Sequence, residues 1–78
     1  MKFNKLPLEV DGTELWGARH TNWQFIISYH KDVGYVASFK NTRNIKETAN
    51  YIDGFPFAGF CAAEEACKKT YKQLRNPS

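Results

Sequence analysis

The last third of the chain contains its clearest helix, and this constrains the fold more than any other feature. Residues 62–75 follow about forty residues that have the alternation of short strands. Small or apolar side chains fall on one face of this helix: Ala63, Ala66, Cys67, Thr70 and Leu74. The pattern predicts an α+β fold, in which one C-terminal helix packs on one face of an antiparallel four- to five-stranded sheet.

The clearest strand covers residues 23–30, and its expected neighbour covers residues 35–40. In both segments an aromatic or apolar side chain recurs at every second position, which places these side chains on one face of a sheet. That face holds Trp23, Phe25, Ile27, Tyr29, Tyr35, Ala37 and Phe39. Because both neighbouring strands place aromatic or apolar side chains on the same face, the pattern predicts that this face is the core beneath the helix.

Further strands are expected near residues 8–10, 13–19 and 49–53. The first two are separated by Asp11-Gly12, a strong hairpin signal. The 78 residues then form a single domain, residues 1–78. It comprises an N-terminal arm at 1–7, antiparallel strands across 8–53, an aromatic crossover at 54–61 and the helix at 62–75.

The chain carries a formal net charge of +3 and a pI of about 9.0, a balance that favours acidic partners such as nucleic acid. The predicted helix supplies a surplus of two positive charges. Its acids, Glu64 and Glu65, are expected in the first turn, and its bases follow at Lys68, Lys69, Lys72 and Arg75. Because the helix macrodipole favours this order, most of the excess charge has a structural explanation.

The two cysteines are expected to be free thiols. Cys61 is predicted at the N-cap of the helix and Cys67 on its inner face. Their Cα atoms would lie about 9 Å apart by the helical rise, beyond the roughly 7 Å limit for a disulfide. Residues 1–15 lack an apolar leader and no transmembrane stretch is evident. We therefore expect a cytoplasmic protein of a host cell.

No arrangement of residues in the sequence points to catalysis, a metal or a cofactor. A nucleophilic Cys61 would need a base, and nothing in the sequence places His20 or His30 beside it. The cysteines and histidines lack the close spacing of zinc ligands, and there is no glycine-rich phosphate loop. We therefore expect a non-enzymatic protein without catalytic, cofactor-binding or metal-binding residues.

The order of fold-determining residues resembles small proteins of bacteriophages and prophages, which combine a short antiparallel meander with a Phe–Glu–Ala helix start. The resemblance rests on Trp16, Phe25, residues 34–40, residues 51–54, Pro56-Phe57, Phe60 and residues 64–66. Many such proteins are accessory or anti-host factors, including anti-CRISPR proteins that bind host nuclease complexes. The resemblance implies a small phage or mobile-element protein that binds and inhibits a host macromolecular complex, an anti-defence inhibitor whose target it does not identify.

A second resemblance is to the sheet-plus-helix domains of plant AP2 factors and phage integrase arms. It rests on residues 34–37 and 60–66. Those domains lay their sheet in the DNA major groove and use several Arg and Trp residues there. Only His30 and Lys40 are assigned to the corresponding face of this chain. This resemblance implies a DNA- or RNA-binding module as the alternative function.

The expected contact surface is the sheet face away from the helix together with the basic loop after residue 40. It comprises Trp16, Arg19, His30, Lys40, Arg43 and Lys46. An exposed Trp beside an Arg is typical of a protein-interface anchor, and a basic loop suits an acidic or nucleic-acid-loaded partner. The expected partner is a host protein or ribonucleoprotein complex, not a membrane. Nucleic acid bound directly by this face, and a homodimer whose open sheets pair, are the alternatives.

Overall fold

The computed structural model describes residues 2–7, 13–44, 46 and 48–75. These residues form a five-stranded antiparallel sheet and one C-terminal helix, which confirms the predicted α+β fold. The strands lie side by side in sequence order, β1 to β5, and each pairs with its sequence neighbour. The elements are β1 (Asn4–Lys5), β2 (Thr13–His20), β3 (Trp23–His30), β4 (Gly34–Asn41), β5 (Asn50–Tyr51) and α1 (Phe60–Arg75).

The core lies between the three long strands and α1. Ile27 at the centre of β3 pairs with Ala37 of β4, and the side chains of both are fully buried. Ala63 and Cys67 of α1 are also fully buried against this cluster. Because these helix residues are small, α1 lies close to the sheet, and burial of a side chain such as Ile27 stabilises the fold by about 1.5–3 kcal/mol.

The turn between β3 and β4 depends on a glycine. The backbone N–H of Val33 donates to the carbonyl of His30 at 3.0 Å, and Gly34 follows with a φ of +122°. A Cβ placed on Gly34 would lie 3.1 Å from the Cβ of Pro56. The backbone conformation therefore favours glycine at this position, and Pro56 leaves little room for a Cβ.

The sheet edges differ in detail from the sequence-based expectation. The predicted N-terminal arm contains the edge strand β1, which pairs with Trp16 and Gly17 of β2. A salt bridge of 2.8 Å between Lys5 and Glu14 joins the same two strands. The predicted strand 8–10 and the Asp11-Gly12 turn lie outside the described residues. At the other edge, β5 is shorter than the predicted strand 49–53.

The helix begins earlier than the apolar pattern predicted. The N–H of Ala63 donates to the carbonyl of Gly59 at 3.2 Å, so Gly59 is the N-cap and Phe60 is the first helical residue. The prediction that Cys61 is the N-cap is therefore wrong. Glu64, for the same reason, lies beyond the first turn, which contains no acidic residue. Its carboxylate is instead 3.9 Å from the Nζ of Lys68, one turn further on.

Candidate binding surface

The sheet face away from α1, here called the open face, is defined by the strand register. Directly paired residues of antiparallel strands point to the same side of a sheet. Side chains that alternate with the core therefore belong to the open face: Thr13, Leu15 and Arg19 of β2, Gln24, Ile26, Ser28 and His30 of β3, Val36, Ser38 and Lys40 of β4, and Tyr51 of β5. Among the described residues, the strands place no acidic side chain on this face.

Trp16 lies on the opposite side of the sheet, so its predicted position on the open face is wrong. It pairs with Ile27, whose side chain is fully buried beneath α1. The indole ring lies 5.1 Å from the ring of Phe60 and 6.2 Å from that of Tyr35, measured between centroids. Trp16 therefore packs at the border of the core, under the start of the helix.

One end of the open face is cationic. Arg19 pairs with Gln24, and Gln24 pairs with Lys40, so the three side chains form a row across β2, β3 and β4. Two strand spacings of about 4.8 Å separate the backbones of Arg19 and Lys40 by roughly 10 Å. Neither cation forms an ion pair with another residue that the structure describes.

Two further cations follow Lys40 in the connection to β5. The backbone N–H of Arg43 donates to the Asn41 side chain at 2.9 Å, and that of Lys46 donates to the Asn44 side chain at 3.2 Å. Both Arg43 and Lys46 are exposed. Because β4 ends at Asn41, this connection begins beside the row, and we call Arg19, Lys40, Arg43 and Lys46 together the cationic end.

His30 lies at the other end of the open face, away from the cationic end. It pairs with Gly34 at the last position of β3, and its Nε2 is 3.0 Å from the hydroxyl of Ser28. The six residues predicted for the contact surface are therefore divided among three places. Four lie in or beside one row, His30 lies near the β3–β4 turn, and Trp16 lies under the helix.

An apolar groove runs along the open face beside β4 and β5. It has a volume of about 300 Å³ and is lined by His30, Val33, Val36, Tyr51 and Phe55. Three of these side chains are largely exposed: Val33 by 55%, Tyr51 by 67% and Phe55 by 53%. The rings of Tyr51 and Phe55 are 6.4 Å apart between centroids. This open-face groove presents two aromatic rings to solvent.

The open-face groove leaves no continuous pattern in the sequence, because its walls come from three separate segments. Val33 belongs to a turn, Tyr51 to a two-residue strand and Phe55 to the crossover before the helix. The placement of Tyr51 follows from the burial of its neighbour. Ile52 follows Tyr51 directly, and adjacent residues of an extended segment point to opposite faces. Since Ile52 is buried in the core, Tyr51 must face the other way.

The centre of the open face is also apolar, but its side chains are less exposed to solvent than the three exposed side chains of the open-face groove. A Cβ placed on Gly17 would lie 3.5 Å from side-chain carbons of Leu6 and Ile26, an ordinary contact distance. Leu6 and Ile26 therefore close over Gly17. The apolar surface available to a partner lies at the open-face groove rather than at this centre.

A second groove, of about 610 Å³, lies at the seam between α1 and the β4–β5 edge. Apolar side chains such as Ile52 and Leu74 line it together with Asp53 and Lys69. Its charged residues have both signs. It therefore lacks the single-sign charge that distinguishes the open face.

The two cysteines have different environments. Cys61 is exposed on α1, whereas Cys67 is fully buried. Burial, with a smaller contribution from the nearby charge of Glu64, raises the pKa of the Cys67 thiol from its ordinary value of 9.0 to about 12. Cys67 is therefore a neutral core residue and not a nucleophile at physiological pH. Within the described parts of the chain, no three His, Cys, Asp or Glu side chains are grouped closely enough to hold a metal ion.

Comparison of the chain with protein-family models, with curated proteins and with solved structures finds no match. The single helix in the described part of the chain is neither long nor apolar enough to cross a membrane.

Proposed function

We propose that this protein is a non-enzymatic binding protein that docks through its open face on a host protein or ribonucleoprotein complex and blocks it. It would thus act as a small phage or mobile-element inhibitor of the anti-defence class. The observation that carries the proposal is the composition of the open face. Exposed aromatic rings and a cationic end share one uncovered surface, and its described strand residues include no acid.

This composition is that of a recognition surface. Aromatic and Arg side chains are enriched at the centres of protein interfaces, where they supply much of the binding energy. The backbone of Tyr51 is held by pairing of β5 with β4, and aromatic side chains have few rotatable bonds, so little conformational freedom is lost on binding. The cationic end adds attraction to acidic surfaces and raises the rate of encounter with them.

A capture experiment from host lysate tests the proposal. The immobilised wild-type protein is compared with a double variant, Tyr51→Ala with Phe55→Ala, and with a matched double variant on the helix, Lys69→Ala with Lys72→Ala. We expect the complex to be retained by wild type and by the helix variant, and to be lost with the open-face variant. Equal capture by all three proteins would overturn the proposed use of the open face.

The inhibitory role needs a second readout. We expect the captured complex to lose its activity when wild-type protein is added in stoichiometric amount, and to keep it with the open-face variant. A complex that remains fully active when saturated would contradict inhibition. Sedimentation of the free protein addresses the alternative of a homodimer that pairs its open faces, because that dimer would dissociate in the same open-face variant.

A further inference from the structure

We infer that the ligand of the open face is single-stranded nucleic acid, with one base held in the open-face groove and phosphates further along the strand held by Lys40 and Arg19. This inference rests on the proposed function, because it names the component of the partner complex that the open face contacts. It also assigns a base-binding site that involves Tyr51 and Phe55, neither of which belongs to the contact surface expected from the sequence.

The open-face groove suits a nucleobase. Its volume of about 300 Å³ accommodates one planar base, and the Tyr51 and Phe55 rings are exposed at its walls. Stacking of a base on an aromatic side chain contributes about 1–3 kcal/mol and tolerates any base, since every base has a π face. The hydroxyl of Tyr51 and the imidazole of His30 supply polar atoms at the same site.

The cations lie at the end of the open face away from His30, so the sugar–phosphate backbone would run from that base along β4 to reach them. Tyr51 pairs with Ser38, and Lys40 is two residues further along β4 on the same face, about 7 Å along the strand. Val36, which lines the groove on the other side of Ser38, is about 13 Å from Lys40 along the same strand. The row then leads from Lys40 through Gln24 to Arg19. A strand that enters at the open-face groove and crosses the sheet diagonally therefore passes over both cations.

The same features favour a single strand over a duplex or an apolar peptide. In a duplex the base faces are stacked on one another and are closed to Tyr51 and Phe55, whereas the bases of a single strand are free to stack on them. An apolar peptide would fill the open-face groove but would leave Lys40 and Arg19 without anionic partners. Of these three ligands, only a single strand satisfies both the exposed rings and the cationic row.

Fluorescence anisotropy with a short labelled oligouridine and the corresponding oligodeoxythymidine tests the inference. We expect binding at low salt that falls steeply as salt is raised. Tyr51→Ala should weaken binding about five-fold or more, the loss of one stacked base, whereas Tyr51→Phe, which keeps the ring and loses only the hydroxyl, should retain most of the wild-type affinity. Lys40→Ala should weaken binding and reduce the slope of log affinity against log salt by about 0.7. Lys72→Ala, on the helix, serves as the charge control and should have a smaller effect on both quantities.

The oligonucleotide-binding experiment and the capture experiment distinguish failure of this inference from failure of the proposed function. Failure of the wild-type protein to bind either oligonucleotide at low salt, while it still captures and inhibits its complex, would overturn the inference and leave the proposed function standing. Equal affinity for a duplex would overturn it as well, because purely electrostatic binding needs no base in the groove. An unchanged affinity in Tyr51→Ala, in a protein whose melting temperature matches wild type, would overturn the base site itself.

Discussion

Trp16 lies directly opposite Ile27 in the register of β2 and β3, and this pairing fixes which face of β2 is buried. The same register turns Arg19 towards the open face, three residues further along the strand. Two neighbouring parts of one strand therefore have different roles. Trp16 stabilises the contact between the sheet and the start of α1, while Arg19 contributes to the cationic end.

Trp16→Ala is expected to destabilise the protein by about 2–4 kcal/mol. The substitution removes a large ring from its contacts with Phe60 and Tyr35 and leaves a gap at the border of the core. Arg19→Ala is the matched control on the same strand and should change stability by no more than about 0.5 kcal/mol, because Arg19 is exposed. Denaturant unfolding measures both values. Similar losses in the two variants would show that the face of β2 is misassigned.

Gly34→Ala should destabilise the protein by about 1–3 kcal/mol. The new Cβ would meet Pro56 at 3.1 Å, and the φ of +122° is strained for any residue with a side chain. Gly17→Ala is the control, because its Cβ would make ordinary 3.5 Å contacts with Leu6 and Ile26. We expect Gly17→Ala to be neutral or mildly stabilising in thermal unfolding. A neutral Gly34→Ala would contradict the described β3–β4 turn.

The two thiols should differ in their rates of alkylation. Cys61 is exposed and should react with iodoacetamide in the folded protein, whereas Cys67 should react only as fast as the protein unfolds. Mass spectrometry of the partly alkylated protein identifies the modified residue. Simultaneous modification of both thiols under native conditions would contradict the burial of Cys67.

The raised pKa of Cys67 also predicts a dependence of stability on pH. The folded protein holds the thiol proton up to about pH 12, whereas the unfolded chain releases it near pH 9.0. The contribution of Cys67 is therefore fully present below pH 9 and is lost as the pH rises towards 12. Cys67→Ala, although less stable overall, should lose stability less steeply above pH 9 than wild type. Parallel curves of unfolding free energy against pH would contradict this expectation.

Arg43→Ala with Lys46→Ala should leave the melting temperature nearly unchanged, because both side chains are exposed. The hydrogen bonds described for these two residues are donated by their backbone N–H groups to Asn side chains, and the substitutions keep those groups. The same double variant should weaken binding of the single-stranded oligonucleotide. It should also reduce the slope of log affinity against log salt. Lys69→Ala with Lys72→Ala removes the same charge from the helix and isolates the effect of position. Equal weakening by both double variants would indicate a general charge effect without a located surface.

Local sequence patterns predicted the parts of the fold that depend on periodicity. The strand predicted at 23–30 is β3, Trp23–His30, and the predicted helix 62–75 lies within α1. The helix start was missed because the N-cap is Gly59, whose carbonyl accepts the first helical hydrogen bond and which has no side chain to mark a cap in the sequence.

The face of β2 and the open-face groove were not predictable from local patterns. Around Trp16, the neighbouring Gly17 and Ala18 interrupt the alternation of large apolar and polar side chains, so neither face of β2 stands out in the sequence. The register with β3 determines which face of β2 is buried, and that register depends on pairing between different strands, not on the local sequence. The pairing of Tyr51 with Phe55 likewise depends on how the crossover folds back beside β5.

The most direct test of binding at the open face is mapping of amide chemical-shift changes while a short single-stranded oligonucleotide is added to the labelled protein. We expect the largest changes in residues 36–40 of β4, at Tyr51 and Phe55, and at Arg19. The exposed side of α1, at Lys72, should change little. Changes concentrated on α1, or no changes at low salt, would contradict the assignment of the open face as the nucleic-acid surface.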